Sequence, residues 1–189
     1  IMLRSDAMAS ILGAFAGMFS ADAAQKGLSP LAGREGEDMA AECVTLMDDP
    51  LYPINPSPFD DEGTPSVAKA VIKDGKLETL LHNLKTAKKA GVKSTSNGGR
   101  SSAGSPVGVR ITNFYIAPKE GTLGQLISEL GDGLLITDFS GLHAGVNPVS
   151  GKFSVLCKGR LIKDGRDVRA VNEITLSGDF TELLRSIVR

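Results

Sequence analysis

The strongest constraint on the fold is a pair of similar segments, VIKDGK and LIKDGR, in which Asp-Gly interrupts a strand-like run. Asp-Gly is a preferred two-residue turn between antiparallel strands, because both positions of that turn need positive φ. We therefore predict one hairpin turning at Asp74 and Gly75 and another turning at Asp164 and Gly165. The two segments are too short to establish an internal repeat.

Helical periodicity appears at four other places. In each of them apolar residues recur at helical spacing, and a capping or stop residue bounds the pattern. The predicted helices are a long one within residues 1–27 capped by Ser5 or Asp6, a short one ending at Gly91, one over 122–131 with a Thr122–Gln125 capping box, and a last one capped by Asp179 or Thr181. Gly13 and Gly17 lie inside the long helix, and we interpret them as points of close packing against another element.

Three further strand-like runs, ECVTLMDDP, VRITNFYIAP and GLLITDFSG, complete the pattern. Together with the hairpins they predict an α+β fold, in which a mostly antiparallel β-sheet built from hairpins carries three or four packed helices. Residues 48–65 contain five prolines and cannot form regular structure. Residues 93–106 are polar and rich in Gly and Ser, so we predict a mobile loop there.

Bulk composition narrows the function classes. The chain has 189 residues, a length typical of one domain, and we interpret 1–189 as a single domain. Its net charge of −1 gives no basic field for direct nucleic-acid binding, and no apolar run is long enough to span a membrane. Two cysteines, Cys43 and Cys157, without metal-site spacing fit a reducing cytoplasm. Because the chain opens in mid-pattern at Ile1, we expect it to be part of a longer protein.

The stretch PFDDEGTPS places three carboxylates side by side and then a glycine. Oxygen ligands of this kind suit Ca²⁺ or Mg²⁺. However, the EF-hand spacing is absent, and consecutive side chains of an extended chain point in alternate directions. We therefore interpret Asp60, Asp61, Glu62 and Gly63 as a structural turn, in which aspartate carboxylates accept hydrogen bonds from nearby backbone N–H groups.

Histidine is the most useful test for zinc chemistry, since a zinc hydrolase needs several imidazole or carboxylate ligands held together. The chain has two histidines, His82 and His143, and no H-E-x-x-H motif. We predict a structural role for His82, in the second arm of the first hairpin, and a candidate contact for His143, in the loop GLHAGVNPVSG. Cys157 lies within a strand pattern and is predicted to be a buried thiol.

Six motifs in order cover essentially the whole chain: RSDAMASILGAFAGMFSADAAQKGLSPLAGREGE, MDDP, PFDDEGTPS, TNFYI, GLLITDFSGLHAGVNPVSGKFSV with GRLIKDG, and ITLSGDFTELL. In this order they resemble the C-terminal half of the TldD/PmbA family. The run GVNPVSGKFS with the following GRLIKDG is the most specific part, and it favours the PmbA (TldE) branch.

The resemblance implies a cytoplasmic heterodimer. In this family, TldD-type chains carry an H-E-x-x-x-H zinc motif in their N-terminal half and a further cysteine ligand in a short final segment. They pair with PmbA (TldE)-type chains that lack the motif, and the pair encloses a chamber that cleaves unfolded or small peptides. This sequence matches neither zinc element, so the resemblance implies no catalytic or metal residue and no cofactor here, with zinc expected only in a TldD-type partner.

The leading hypothesis is therefore a non-metal-binding subunit that shapes the chamber and holds peptide by strand addition to a sheet edge. Candidate peptide or partner contacts are His143 and Asn147 in one loop, and Asn97 and Arg100 in the other. Two alternatives stay open: a structural or regulatory protein of the gyrase-modulator type with no proteolytic role, and a fragment of an active zinc peptidase. An isolated domain with its partner surface exposed is also able to form a homodimer.

Overall fold

Both predicted hairpins form at their Asp-Gly turns in the computed structural model, which describes residues 1–188. Asp74 and Gly75 have φ of 47° and 82°, and Asp164 and Gly165 have φ of 50° and 68°. The turns are flanked by the cross-strand pairs Lys73–Lys76 and Lys163–Arg166. Positive φ at both central residues is the geometry that two-residue antiparallel hairpins favour, so the local sequence sets the strand pairing directly beside each turn.

The elements alternate between short strands and short helices, with one long hairpin near the end of the chain. The strands are β1 (Met2–Leu3), β2 (Leu46–Asp48), β3 (Lys69–Lys73), β4 (Lys76–Leu77), β5 (Gly98–Gly99), β6 (Gly108–Val109), β7 (Phe114–Ile116), β8 (Gly133–Ser140), β9 (Val146–Asn147), β10 (Lys152–Lys163) and β11 (Arg166–Asp179). The helices are α1 (Ser5–Phe15), a 3₁₀ helix (Ala16–Phe19), α2 (Ala21–Gln25), α3 (Leu84–Ala90), α4 (Leu123–Leu130), α5 (Leu142–Gly145) and α6 (Phe180–Arg185).

The strands form two main sheets and a short two-stranded ribbon. The large sheet has the order β1-β8-β10-β11, with β9 also paired to β10, and only β1 runs parallel to its neighbour. The small sheet has the order β4-β3-β2-β7 and is antiparallel throughout. The ribbon is β5 paired with β6. This arrangement confirms the predicted α+β class with mostly antiparallel pairing.

The helical N-terminal segment joins the two sheets through one core. Helix α1 contacts both β8 of the large sheet and β7 of the small sheet. Phe15 stacks on Phe180 with ring centroids 4.3 Å apart and meets Phe153 edge-on at 6.1 Å, while Phe19 packs on Phe114 at 5.2 Å. Because these rings belong to both sheets and to α6, burial of this apolar surface is what ties the fold together.

The long helix predicted within residues 1–27 is broken, which corrects that prediction. Ser20 has φ −75° and ψ 124°, an extended conformation, and it separates the 3₁₀ helix from α2. The cause is tertiary: Leu81 donates a backbone hydrogen bond to Phe19 and accepts one from Ala21, so this part of the chain pairs like a strand. Together with the four-residue α5, this break explains why the helices outnumber the three or four predicted.

Gly13 and Gly17 do not mark close packing, contrary to the prediction from their spacing. A Cβ atom added at either position would meet no other atom within 4 Å. The Gly13 position therefore has room for a side chain in α1, and the glycine only adds flexibility to the unfolded chain.

We expect Gly13→Ala to stabilise the protein by about 0.5–1 kcal/mol, because alanine has the higher helix propensity. Urea unfolding followed by circular dichroism measures the change. Gly27→Ala provides the contrast, since Gly27 has φ +71° and an alanine there is strained although it too has open space. A destabilised Gly13→Ala variant would contradict this view of α1.

Candidate functional site

The carboxylates of the PFDDEGTPS turn bind backbone N–H groups on both sides of the turn. Asp60 is buried, and its Oδ1 accepts hydrogen bonds from the N–H groups of Glu62 (3.0 Å) and Thr64 (2.9 Å). Its Oδ2 accepts one from Gly98 N at 2.8 Å. The Oδ2 of Asp61 accepts from Arg100 N at 2.7 Å. The acidic turn therefore holds the glycine-rich segment that begins near residue 97.

Glu62 and Gly63 complete the acidic turn. Glu62 Oε2 accepts a hydrogen bond from Leu84 N, at the first turn of α3, with a distance of 2.7 Å. Gly63 has φ +78°, a conformation that strongly favours glycine. All three acids thus have protein donors as partners, and the turn joins β5 and α3 to the segment before β3.

We expect Asp60→Asn to lower the free energy of unfolding by about 2 kcal/mol, because both carboxylate oxygens accept hydrogen bonds and an amide nitrogen cannot. Asp61→Asn is the matched control: the amide oxygen can still accept from Arg100 N, and the ion pair of Asp61 with Arg110 at 3.7 Å is partly exposed, so a drop below about 1 kcal/mol is expected. Urea unfolding measures both variants, and elemental analysis measures bound metal. Stoichiometric zinc or calcium that is lost on either substitution would contradict the structural role.

A second polar cluster lies beneath this turn, around Asp48 at the end of β2. Asp48 is fully buried, and its Oδ2 accepts hydrogen bonds from Lys69 Nζ (2.9 Å) and Asn97 Nδ2 (2.7 Å). Its Oδ1 accepts from the backbone N–H and the hydroxyl of Thr112, at 2.8 and 2.7 Å. This buried carboxylate therefore fixes three separate segments of the chain to one another.

Asn97, which was predicted as a peptide or partner contact, belongs to that cluster. Its side chain is 1% exposed, and it also donates to the carbonyl of Arg110 at 2.8 Å and accepts from the Thr95 hydroxyl at 2.7 Å. Every polar atom of the amide is thus engaged inside the protein. The predicted mobile loop over 93–106 is likewise anchored in its first half, where residues 96–99 are buried.

Arg100 lies where the buried half of this loop ends. Its side chain is exposed, and its guanidinium donates to the carbonyl of Ser105 at 2.9 Å. Among residues 1–188 no hydrogen bond or ion pair joins Arg100 to the loop that carries His143 and Asn147. The structure therefore does not bring the two predicted contact loops into one hydrogen-bonded site.

His82 is buried in the same region. It lies beyond the end of β4 rather than in the second hairpin arm, and its backbone carbonyl accepts hydrogen bonds from Thr95 N and Asn97 N, both at 3.2 Å. Burial lowers the pKa of its imidazole. His82 thus holds the turn at residues 94–97 through its backbone.

A groove of about 900 Å³ lies at the end of the large sheet where β10 begins and β11 ends, away from the Asp164–Gly165 turn. It is lined by the end of α5, by β9, by the start of β10, by the end of β11 and by α6, including Asn147, Lys152, Ser154, Ser177, Asp179 and Glu182. His143 is exposed on α5 but is not among the lining residues, whereas Asn147 lines the groove. Of the four predicted contacts, Asn147 is the one found in this groove.

Close backbone approach gives the groove its shape. A Cβ atom at Gly145 would overlap the carbonyl oxygen of Ser154, so a glycine lets this wall lie directly on β10. The side-chain oxygen of Asn147 accepts hydrogen bonds from Val149 N (3.0 Å) and Ser150 N (3.2 Å), which closes the turn into β10. The run GVNPVSG is thus explained by the close approach at Gly145 and by the turn that Asn147 closes.

Several of the groups that line the groove are polar. The hydroxyls of Ser154 and Ser177 lie 2.8 Å apart across β10 and β11. Asp179 caps α6, accepting from the Thr181 hydroxyl at 2.7 Å and the Thr181 backbone N–H at 2.9 Å. Burial raises the pKa of this carboxyl, but those hydrogen bonds and the charge of Lys152 outweigh it, and the net shift is downward. The groove therefore offers hydroxyls, backbone groups and charges of both signs.

Sequence reasoning identified Asp179 as a cap but missed its place in the groove, and it missed the two serines altogether. Ser154 and Ser177 are ordinary alternating residues of a strand pattern, so no local signal distinguishes them. Their pairing depends on the register of the long hairpin, in which Ser154 lies opposite Ser177.

The residues of the chain do not form a zinc site in the part that the structure describes. No group of three or more His, Cys, Asp or Glu side chains within residues 1–188 is placed to hold a metal ion. The Sγ of Cys43 donates to the Ile187 carbonyl at 3.4 Å and that of Cys157 to the Ile174 carbonyl at 3.3 Å, and burial raises the pKa of the Cys157 thiol. The same residues contain no helix long and apolar enough to cross a membrane.

Comparison with known proteins identifies relatives of the whole chain. Residues 1–189 match the PmbA/TldA metallopeptidase C-terminal domain. A metalloprotease of Archaeoglobus fulgidus is 35% identical over 176 residues, covering 92% of this chain and 40% of the relative. The metalloprotease PmbA of Escherichia coli O157:H7 is 30% identical, covering 81% of this chain and 32% of the relative. The chain thus spans two fifths or less of the length of these relatives.

Two solved structures share the fold at clear sequence identity. A candidate modulator of a DNA gyrase from Thermotoga maritima superposes with a TM-score of 0.93 and 41% identity, over 99% of this chain and 43% of that one. TldE from Thermococcus kodakarensis superposes with a TM-score of 0.84 and 31% identity, over 93% of this chain and 41% of that one.

Proposed function

Because the chain belongs to the PmbA/TldD metallopeptidase family, we propose that it is the C-terminal domain of a PmbA (TldE)-type subunit, which binds no metal itself. The subunit pairs with a zinc-bearing TldD-type chain in the cytoplasm and helps that chain to cleave unfolded or small peptides. The likeness to TldE supports assignment to the PmbA (TldE) branch. Both cysteines are free, as a reducing compartment requires.

The groove beside β11 is the observation that carries this proposal. The sheet order leaves β11 as an edge strand, paired on one side with β10 within the described residues. An extended peptide can add to such an edge through its backbone, which needs few particular side chains. The groove is lined by residues of β9, β10 and β11, and Ser177, Gly178 and Asp179 at the end of β11 place polar groups next to this edge strand.

A reconstitution experiment tests the proposal. The chain is mixed with a zinc-loaded TldD-type protein, and co-elution and cleavage of an unfolded peptide are measured. We expect co-elution and faster cleavage than with the TldD-type protein alone. Failure to co-elute, together with unchanged cleavage, would refute the proposed subunit role, and an H-E-x-x-x-H motif elsewhere in the same polypeptide would show instead an active zinc peptidase.

A matched pair of serine substitutions, one in the groove and one elsewhere on the surface, tests whether peptide binds in the groove. Ser177 and Ser101 are both exposed, and each hydroxyl pairs with another serine hydroxyl. We expect Ser177→Trp to fill the groove and reduce the gain in cleavage at least about fivefold, which corresponds to about 1 kcal/mol of lost binding. Ser101→Trp leaves the gain unchanged. Equal effects of the two substitutions would exclude the groove as the peptide site.

A second candidate function is regulation of DNA gyrase without proteolysis. The observation in its favour is the structure from Thermotoga maritima described as a candidate gyrase modulator. A supercoiling assay with purified gyrase distinguishes the two functions. A change in supercoiling caused by this chain alone, with no TldD-type protein present, would favour the regulatory function over the peptidase one.

A further inference from the structure

Four exposed lysines gather on and just after α3: Lys85, Lys88, Lys89 and Lys93, which we call the lysine face. The first three are spaced three and four residues apart, so they share one side of the helix. The opposite side of α3 is buried through Thr86 and Ala87. In a chain with a net charge of −1, this face concentrates four positive charges within nine residues.

The lysine face has no counter-charge of its own. Within residues 1–188 none of its four ammonium groups has an ion pair or a side-chain hydrogen bond. Two acids near α3 are already engaged: Glu62 accepts from the Leu84 backbone, and Asp22 of the neighbouring α2 pairs with Lys26 at 2.6 Å. The four charges are therefore free to meet an external anion.

Helix stability explains only part of this pattern. Lys88 and Lys89 lie in the last turn of α3, where positive charge favours the helix dipole. Lys85 lies in the first turn, where positive charge opposes the dipole, and it faces Lys88 and Lys89 at repulsive spacing. Removal of Lys85 would thus relieve the helix, so a binding role accounts for this residue better than a structural one.

The neighbours of the lysines indicate the class of partner. Leu84 and Val92 flank the lysine face and are 51% and 53% exposed. Residues 83–100 contain no aromatic side chain on which a base could stack, and the arginine at position 100 lies at the far end. Lysine charge flanked by aliphatic surface suits a protein segment that carries both carboxylates and apolar side chains.

We propose that the lysine face docks an acidic, leucine-containing segment of a partner protein. Charge complementarity over an aliphatic surface favours such a partner, independently of the groove and of the proposed peptidase role. Because exposed charges are screened by salt, the interaction weakens as ionic strength rises.

Fluorescence anisotropy with the chain tests this inference. The probe is a labelled peptide that alternates glutamate pairs with leucine. We expect Lys85→Glu/Lys88→Glu/Lys89→Glu to weaken its binding at least about tenfold near physiological salt. The matched control reverses three exposed charges at the tip of the long hairpin, Lys163→Glu/Arg166→Glu/Arg169→Glu, and changes binding less than about twofold.

Two further probes make the outcome decisive. A polyglutamate peptide without leucine is expected to bind more weakly than the probe, and an oligothymidylate of equal charge to bind more weakly still. Circular dichroism verifies that both triple variants remain folded. Equal binding by the two triple variants, or tighter binding of the oligothymidylate than of the peptide, would overturn the proposal.

Discussion

Asp48→Ala is expected to lower the free energy of unfolding by about 3–5 kcal/mol, as removal of one partner from a buried ion pair typically does. The Asp48 side chain is 0% exposed and that of Lys69 is 13% exposed, with 2.9 Å between Nζ and Oδ2. Without the carboxylate, the Lys69 ammonium and the donors of Asn97 and Thr112 lose their acceptor in a region that water reaches poorly. Urea unfolding measures the loss.

Two controls distinguish this cluster from an ordinary ion pair. Asp138→Ala removes the partner of Lys158, a pair 3.1 Å apart in which both side chains are about half exposed, and a change below about 1 kcal/mol is expected. In the double variant Asp48→Ala/Lys69→Met the unpaired charge is absent, so part of the lost stability returns. If Asp48→Ala and Asp138→Ala lower the free energy of unfolding equally, the buried cluster contributes no more to stability than an exposed ion pair does.

The same substitution should loosen the segment that Asn97 anchors. Since Arg100 follows this segment and its side chain is exposed, we expect trypsin to cleave Asp48→Ala faster there than the unmodified protein. Lys85, Lys88 and Lys89 of α3 provide internal reference sites for the protease. Faster cleavage at Arg100 than at these lysines would show that the effect is local rather than global unfolding.

The contrast between Asn97 and the hairpin turns shows what sequence alone could predict. The Asp-Gly turns, the Thr122–Gln125 capping box and the Asp179 cap depend on residues a few positions apart, and each forms as predicted. The break at Ser20 depends on Leu81, and the burial of Asn97 on Asp48, so neither has a local signature. A polar segment rich in Gly and Ser looks mobile until its partners from distant strands are known.

The groove likewise combines features that depend on local sequence with features that depend on distant residues. The sequence predicted a loop at GLHAGVNPVSG with candidate contacts at His143 and Asn147, but the lining by Ser154 and Ser177 arises from the register of β10 against β11. That register is itself irregular, with shifts near residue 158 against both β8 and β11. Such bulges change the direction in which the side chains of a strand point, and the alternation of apolar and polar residues in the sequence does not predict them.

Gly159 lies at that irregularity, and Gly159→Ala is expected to cost about 3 kcal/mol. A Cβ atom there would overlap the carbonyl oxygen of Leu135 and lie 3.0 Å from its carbonyl carbon and 3.1 Å from Ile136 Cα. These are backbone atoms of β8, so no side-chain rotation can relieve the overlap, and the strands must separate. For a chain of this length the midpoint of thermal unfolding should fall by roughly 6–12 °C.

Gly104→Ala is the matched control for the loss of a glycine. Gly104 is exposed, has no atom within 4 Å of an added Cβ and is absent from the residues with positive φ, so a change within about 0.5 kcal/mol is expected. Thermal unfolding of both variants gives the comparison.

Because β10 carries Lys152 and Ser154 into the groove, a folded Gly159→Ala variant should also bind peptide more weakly there, whereas Gly104→Ala should not. Equal stability of the two variants would mean that β8 and β10 tolerate a side chain between them, and the close approach at Gly159 would then not be what sets their registers.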